Sequence, residues 1–242
     1  MKKEIQSAWA RFWMRFAGLT RFGRMATWLA TWATPPYKAR AFLARLNERG
    51  FVAPDASIFH SDLRRGKHVF IGERTVIYQG HEGGPVVLGD GVHLHRDSIV
   101  ETGMGGSVVI GAHTHIQPRC QFSGYKGSIH IGRGVQIAPN CAFYPYDHGI
   151  DPGELISKQP IQSKGDILVD DDAWLGVGVC VLDGARIGKG AVIGAGSVVT
   201  GNIPDYSIAV GVPARVVKSR FDLAPGAALE SQRVVQPKDQ SI

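Results

Sequence analysis

Aliphatic residues recur every six positions in the C-terminal half of the chain, at Val169, Leu175, Val181, Ile187, Ile193 and Val199. Four positions after each stands a mostly slim residue: Ala173, Val179, Ala185, Ala191, Ser197 and then Ile203. Glycine follows the aliphatic at Ile187-Gly188 and Ile193-Gly194. The same phase appears upstream in shorter blocks: Val52/Ile58, Ile71/Ile77, Leu88/Leu94/Val100, Ile110/Ile116/Phe122 and Ile131/Ile137/Phe143. A helix would space its apolar residues by three and four. A period of six with glycine at the corners predicts short strands joined by turns, three to a coil, with the aliphatic pointing inward. Six consecutive positions in one phase argue against an ordinary β-sandwich. Each coil would bury its interior only against the next, so stability would accumulate coil by coil. Cys120 and Cys141 fall on the slim inward position and are expected to be buried small hydrophobes.

The first fifty residues carry a different period. Ile5, Ala8, Trp9, Phe12, Trp13 and Phe16 recur at helical spacing, with Lys2, Lys3, Arg11 and Arg15 off that stripe. Phe22, Met25, Trp28, Leu29 and Trp32 form a second stretch, and Ala39, Phe42, Leu43 and Leu46 a third that ends at Gly50. The pattern divides the chain into a helical segment at 1–50, a solenoid at 51–218 and a tail at 219–242.

Charge sharpens that division. The net charge is +6, but residues 1–50 hold ten Lys/Arg against Glu4 and Glu48, a balance of +8, and four of the five Trp. Trp and Phe opposite Arg and Lys suit a helix lying in a membrane interface, where each basic residue contributes roughly 1 kcal/mol near anionic lipid. A solenoid also needs a cap, so membrane contact and capping both stand as readings. No nucleic-acid motif accompanies the charge. Arg11 and Arg15 interrupt any apolar signal core, and Met25 to Tyr37 falls short of the ~18 residues a spanning helix needs. The three Cys form no metal pair and no disulfide framework. The expected location is the cytoplasm, peripheral on the inner face of the cell membrane.

The repeat breaks most widely between Phe143 and Val169, 26 residues where six would continue it. A loop of about 144–166 in a compact domain is usually functional. His148 stands at its root, in the run NCAFYPYDH from Asn140.

The repeat has the form aliphatic-Gly-x-x-small-x, and residues 166–218 resemble the bacterial hexapeptide-repeat acetyltransferases, notably the galactoside and maltose O-acetyltransferases. The resemblance rests on Asp172-Ala173-Trp174-Leu175-Gly176 and on IGKGAVIGAGSVVTGNIPDYSIAVGVPARVVK. It covers roughly residues 51–218 and implies a left-handed parallel β-helix, against the usual right-handed crossover rule. It implies a homotrimer with each active site between neighbouring subunits. It also implies acetyl-CoA as co-substrate and transfer to a hydroxyl of a saccharide, free or lipid-linked, in surface polysaccharide or glycolipid biosynthesis. In that reading His148 is the general base, because an alcohol is a poor nucleophile and an imidazole can accept its proton. Asp147 would fix the imidazole, and the backbone N–H of Val177 would steady the oxyanion. Trp174 would wall the acyl pocket, Ala195 would meet pantetheine, and Arg215 and Lys218 the nucleotide phosphates. His115 and Tyr146 are candidate acceptor-site residues. Gly201 departs from a common Lys, and Pro118 and Lys126 stand where the galactoside enzymes hold their acceptor, so the acceptor's identity is open.

Two rival readings remain. One is an N-acyltransferase acting on an amino sugar. The other is a metal-binding or non-enzymatic β-helix module, since γ-class carbonic anhydrases share the expected fold and bind zinc through three His. No two of the nine His are five apart as in that class, and no metal is expected. His93/His95 and His113/His115 flank inward positions, so both pairs are expected to face outward to solvent or an interface, with His93 and His115 stacking on successive coils.

Overall fold

A computed structural model describes residues 2–222, with side chains from Ser7 onward. Ile5 of the first helical stripe, Lys2 and Lys3 beside it, and most of the expected tail, 223–242, lie outside the described side chains. From Phe51 the chain winds through seven coils, each contributing one short strand to each of three parallel sheets, and two further strands, the last of them antiparallel, extend the first sheet to nine beside the other two of seven. We call these faces A, B and C in the order the chain visits them. It is the three-faced solenoid that the left-handed β-helix reading requires.

The six-residue period fixes which residues point inward. Successive rungs of face A align Val52, Ile71, Leu94, Ile116, Ile137, Leu175 and Ile193 in register, and all are buried. Face B stacks Phe122 on Phe143 with ring centroids 4.6 Å apart and planes 8° from parallel. Burying such a side chain contributes roughly 1.5–3 kcal/mol, and every rung repeats that gain. Cys120 and Cys141 are buried at the slim corner position. Each thiol faces a backbone carbonyl of the following coil, Ala138 and Gly176 respectively.

The corner between faces A and B requires a left-handed backbone. It is taken by Arg74, Asp97, Arg119 and Asn140 in the earlier coils and by Gly178 and Gly196 in the later ones. A non-glycine residue there costs about 1–2 kcal/mol. The early coils offset part of this: across the rungs Arg74 donates to the Asp97 carboxylate at 2.7 and 2.9 Å and Arg119 to Asn140 at 2.8 Å, while Arg96 donates to its neighbour Asp97 at 2.8 Å.

The N-terminal segment forms helix α1 (Lys2–Met14), helix α2 (Arg21–Thr31) and a 3₁₀ segment (Tyr37–Leu46). Thr20 caps α2 by accepting the N–H of Gly23. The two helices and the 3₁₀ segment pack through small residues and a few aliphatics: Ala10, Met14, Ala17, Ala30, Leu43 and Ala44 join one core with Phe51 and Phe70. Phe51 and Phe70 stand on the outward side of face A yet are fully buried, because this segment lies over them. Arg24 ties α2 to the first coil through the carbonyls of Pro54 and Ala56. The segment thus covers part of the first coils, and of its large aromatics Trp13 is partly buried against that core. Trp9, Phe12, Phe16, Phe22, Trp28 and Trp32 stay exposed, Trp32 by 62%.

That cover corrects one expectation. His93 and His115 do pair across coils, with ring centroids 4.4 Å apart, and they do point away from the solenoid interior. His93 and His95 are nonetheless buried, at 7% and 4% exposure, with Tyr37 beside His95 and Phe70 beside both rings. The period locates the outward side of a sheet, but it does not show that another segment covers it.

Burial, helped by His115, His95 and Arg45, lowers His93 from 6.5 to about 4. Burial and Lys38, then His115, lower His95 to about 4 as well. Both rings are neutral in the folded chain, whereas in the unfolded chain they protonate near pH 6.5. Stability from these groups is therefore complete above about pH 6.5 and lost as pH falls toward about 4. We expect the melting temperature to drop over that window, and the His93→Gln, His95→Gln double variant to show a shallower drop. A native-like slope in the double variant would contradict this assignment.

Candidate active site

The long interruption lies at the corner between faces B and C. The chain leaves face B at Ala142–Tyr144, and Asp147–His148 then pairs antiparallel with Ile161–Gln162 before face C resumes at Ile167–Val169. His148 sits at the base of this projecting hairpin and is exposed. The carboxylate of Asp147 accepts the backbone N–H of His148 at 3.0 Å, so it braces the main chain rather than the imidazole.

Lys126 and several residues that the sequence reading passed over hold the hairpin in place. Buried Gln159 accepts the Asp151 N–H and donates to the carbonyls of Asp151 and Glu154, each at 2.8 Å. Ser163 donates to the Pro145 carbonyl at 2.7 Å, and Lys126 to that of Ile161. The Asp183 carboxylate accepts both the backbone N–H and the ammonium of Lys164. Tyr146 lies over the end of face B, where the Ser123 hydroxyl lies 3.4 Å from its hydroxyl and donates to Glu101 at 2.5 Å. Tyr125 and Tyr144 flank that ring. Burial, then Tyr146 and Glu101, push Tyr144 above its usual phenol value. The register of face B was the available signal, because Glu101 and Ser123 are directly paired on adjacent rungs.

The remaining candidates lie on another edge. Trp174 projects from face A, 48% exposed. Val177 and Ala195 occupy successive coils at the corner between faces A and B, and both are exposed. Neither backbone N–H is used in a hydrogen bond among the described residues. Pro118 and Pro139 hold the same corner position in the preceding coils and have no N–H to offer. Gly176 permits the close stacking here, since a Cβ on it would fall 2.6 Å from the Ala195 nitrogen.

Arg215 and Lys218 lie on the last strand, Ala214–Ser219, which folds back antiparallel on Ser207–Gly211. Being three apart, they would point to opposite sides of a regular strand. A bulge shifts the register, so their partners are Val210 and Ile208, which are two apart. The two exposed cations therefore share a face. Within one chain, then, His148 and Tyr146 are on one edge, Trp174, Val177 and Ala195 on or beside another, and His115 on face A. Face B separates the two edges, and four residues at ~3.3 Å each make that roughly 13 Å.

Among the described residues no group of three or more His, Cys, Asp or Glu is placed to hold a metal ion.

Residues 166–201 match the family described as bacterial transferase hexapeptide (six repeats). That stretch, and not the whole chain, is what the family description covers. It is 37% identical over 164 residues to a "probable acetyltransferase" of Mycobacterium tuberculosis, covering 66% of this chain and 45% of that one. It is 43% identical over 75 residues to a galactoside O-acetyltransferase of Lactococcus lactis, covering 31% of this chain and 35% of the relative. The chain thus spans less than half the length of these curated relatives. Two solved structures share the fold. One is an N-acyltransferase from Bacillus cereus in complex with a dTDP-amino sugar and coenzyme A (TM-score 0.53, 22% identity, 65% of this chain and 82% of that one). The other is a polysialic-acid-specific acetyltransferase (TM-score 0.51, 20% identity, 74% and 86%).

The Gln159 network sets an expectation independent of any activity. Replacing Gln159 by Ala removes three hydrogen bonds at the hairpin tip. Amide hydrogen exchange should then accelerate about tenfold or more across 147–162, since each bond contributes ~1 kcal/mol, while the coil amides keep their protection. Unchanged exchange in the hairpin would show that it is held elsewhere.

Proposed function

We propose that the protein transfers an acetyl group from acetyl-CoA to a hydroxyl of a saccharide, as an oligomer whose active sites form between copies. The observation that carries this reading is the placement of two incomplete half-sites on separate edges of one solenoid. One edge offers an exposed imidazole on a braced hairpin. The other offers two unused N–H donors on successive rungs, an exposed indole and, on the last strand, two cations on one face. A second copy brings the first edge against the second, and a closed trimer satisfies every edge in the same way.

In that site the His148 imidazole takes the acceptor's hydroxyl proton. The oxygen attacks the thioester carbonyl carbon, and the charge that develops on the carbonyl oxygen meets the Val177 N–H of the neighbouring copy. Collapse breaks the carbon–sulfur bond, and the departing thiolate of coenzyme A recovers the proton from the imidazolium. Arg215 and Lys218 suit the remote phosphates, and Trp174 lies between them and the reacting carbon. The kinship with named acetyltransferases supports the donor. The saccharide, its attachment to a lipid, and a role in surface polysaccharide or glycolipid synthesis rest on the resemblance alone.

The His148→Ala protein should lose at least about a hundredfold in kcat, followed as thiol release from acetyl-CoA with a panel of sugars and amino sugars, while its oligomer and melting temperature stay native. Near-native turnover would sink the mechanism, and turnover confined to amino sugars would reassign the reaction to N-acylation.

The N-terminal segment adds a location. No described helix is long and apolar enough to cross a membrane. Exposed Trp9, Phe12, Phe16, Phe22, Trp28 and Trp32 stand beside exposed Arg11, Arg15 and Arg21, which is the make-up of a surface that rests in a headgroup layer. We expect the protein to sediment with vesicles containing anionic lipid, less with neutral ones, and less in salt, which screens within about 8–10 Å. A Trp28→Ser, Trp32→Ser variant tests this better than truncation, which would uncover Phe51 and Phe70. It should keep its fold and lose vesicle binding. Absent binding by the native protein would leave the segment a cap only.

A further inference from the structure

One cleft belongs to neither half-site. It lies between the 3₁₀ segment and the outward side of face A, with a volume of about 540 Å³. Its walls carry Arg45, Lys67, His68, His93, His113 and His115. The carboxylate in the wall, Asp90, already accepts the backbone N–H of Lys67 at 2.7 Å. Lys67 reaches Glu48 at 3.0 Å. Among the described residues Arg45 has no hydrogen-bond or ion-pair partner, and the rings of His93, His113 and His115 make no hydrogen bond to the protein. His68 donates through Nδ1 to the Ala44 carbonyl, which leaves Nε2 for the cleft.

Protonating a cluster of this kind is unfavourable without a further anion beside it. His93 and His115 stack at 4.4 Å. His115 is held below its usual value by burial, then by Arg45 and His113. The causes that act on His93 include Arg45 and the rings of His95 and His115. Lys38 presses on His95 from the same segment. An anion with several oxygens reverses this balance, because each ring can take a proton and each proton can be donated. The guanidinium fork, the ammonium and four ring edges exceed what the two oxygens of a carboxylate can accept. They match the oxygens of a phosphate or diphosphate.

We propose that this cleft binds a phosphate-bearing group, and that the group is the diphosphate end of the acceptor. The first part stands by itself. The second rests on the acyl-transfer reading and on register. His93, His115, Gln136 and Trp174 are successive outward residues of face A. At ~4.8 Å per rung, His115 lies about 10 Å and His93 about 14 Å from Trp174, which is the span of one or two sugar units. Phe42, exposed on the 3₁₀ segment, and the exposed aromatics of α1 and α2 give a lipid chain on such a diphosphate an apolar surface beside the cleft.

The full-length protein titrated calorimetrically with inorganic pyrophosphate tests the first part. Binding should be tighter at about pH 6 than at about pH 8, because the rings take up protons. Arg45→Gln and His115→Gln should each weaken it about tenfold or more, the loss of one charge-assisted bond, with native melting temperatures. His148→Ala should bind pyrophosphate as the native protein does, which separates this site from the catalytic edge. Geranyl diphosphate binding more tightly than pyrophosphate assigns a lipid-borne source, and equal affinities assign a soluble one. No binding of either, or native affinity in both variants, overturns the site. The second part predicts that sugar diphosphates outpace neutral sugars in acetyl-CoA consumption and lose that advantage in Arg45→Gln. If pyrophosphate binds but neutral and phosphorylated sugars react alike, the cleft serves another ligand and the acceptor assignment falls.

Discussion

Stacking of one coil on the next is the interaction on which everything else here depends. No coil has an interior of its own, so each inward side chain is buried only because an equivalent one lies ~4.8 Å above or below it. This makes the solenoid rigid along its axis and its outward side chains into columns. The column through His93, His115, Gln136 and Trp174 and the corner series through Pro139, Val177 and Ala195 are by-products of that repeat. Catalytic chemistry needs groups placed to within a fraction of an ångström, and a stacked ladder supplies such placement at a fixed pitch. It also limits what one chain can do, because two groups on different edges cannot approach each other without breaking the stack.

The repeat was legible because the constraint is uniform. Val169 through Val199 obey one period, and the structure turns every one of them inward. Cys120 and Cys141 were legible for the same reason. What covers the outside was not, since periodicity reports which way a side chain points and not what lies beyond it. His93 and His95 show this most clearly: they were expected to face solvent or an interface and lie beneath Tyr37 and its neighbours. The N-terminal stripes were read as alternatives, a membrane surface or a cap. The packing of these helices shows how one segment could serve both. Ala10, Ala17, Ala26 and Ala30 allow close helix packing, which leaves most of the bulky aromatics of this segment, Trp13 excepted, facing out.

The candidate site was legible in outline only. His148 stood out because the repeat fails around it, yet nothing in the local sequence announced Gln159, which holds the hairpin, or the Ser123–Glu101 pair beside Tyr146. The bulge that places Arg215 and Lys218 on one face is likewise invisible in a spacing of three. Such features depend on pairing between segments, which a single sequence carries only indirectly. Their common effect is to brace loops and strand ends where the solenoid's own register gives no support.

The central claim is that His148 and the Val177 N–H of one site belong to different chains. Co-expression of His148→Ala chains with Val177→Pro chains addresses it directly, because Pro118 and Pro139 show that this corner accepts proline. Each variant alone should be nearly inactive in acetyl transfer. Random mixing in a closed ring should restore about a quarter of native activity, since a site needs an intact residue from each of two independent copies. Mixed oligomers as inactive as either parent would place both groups in one chain and contradict the account.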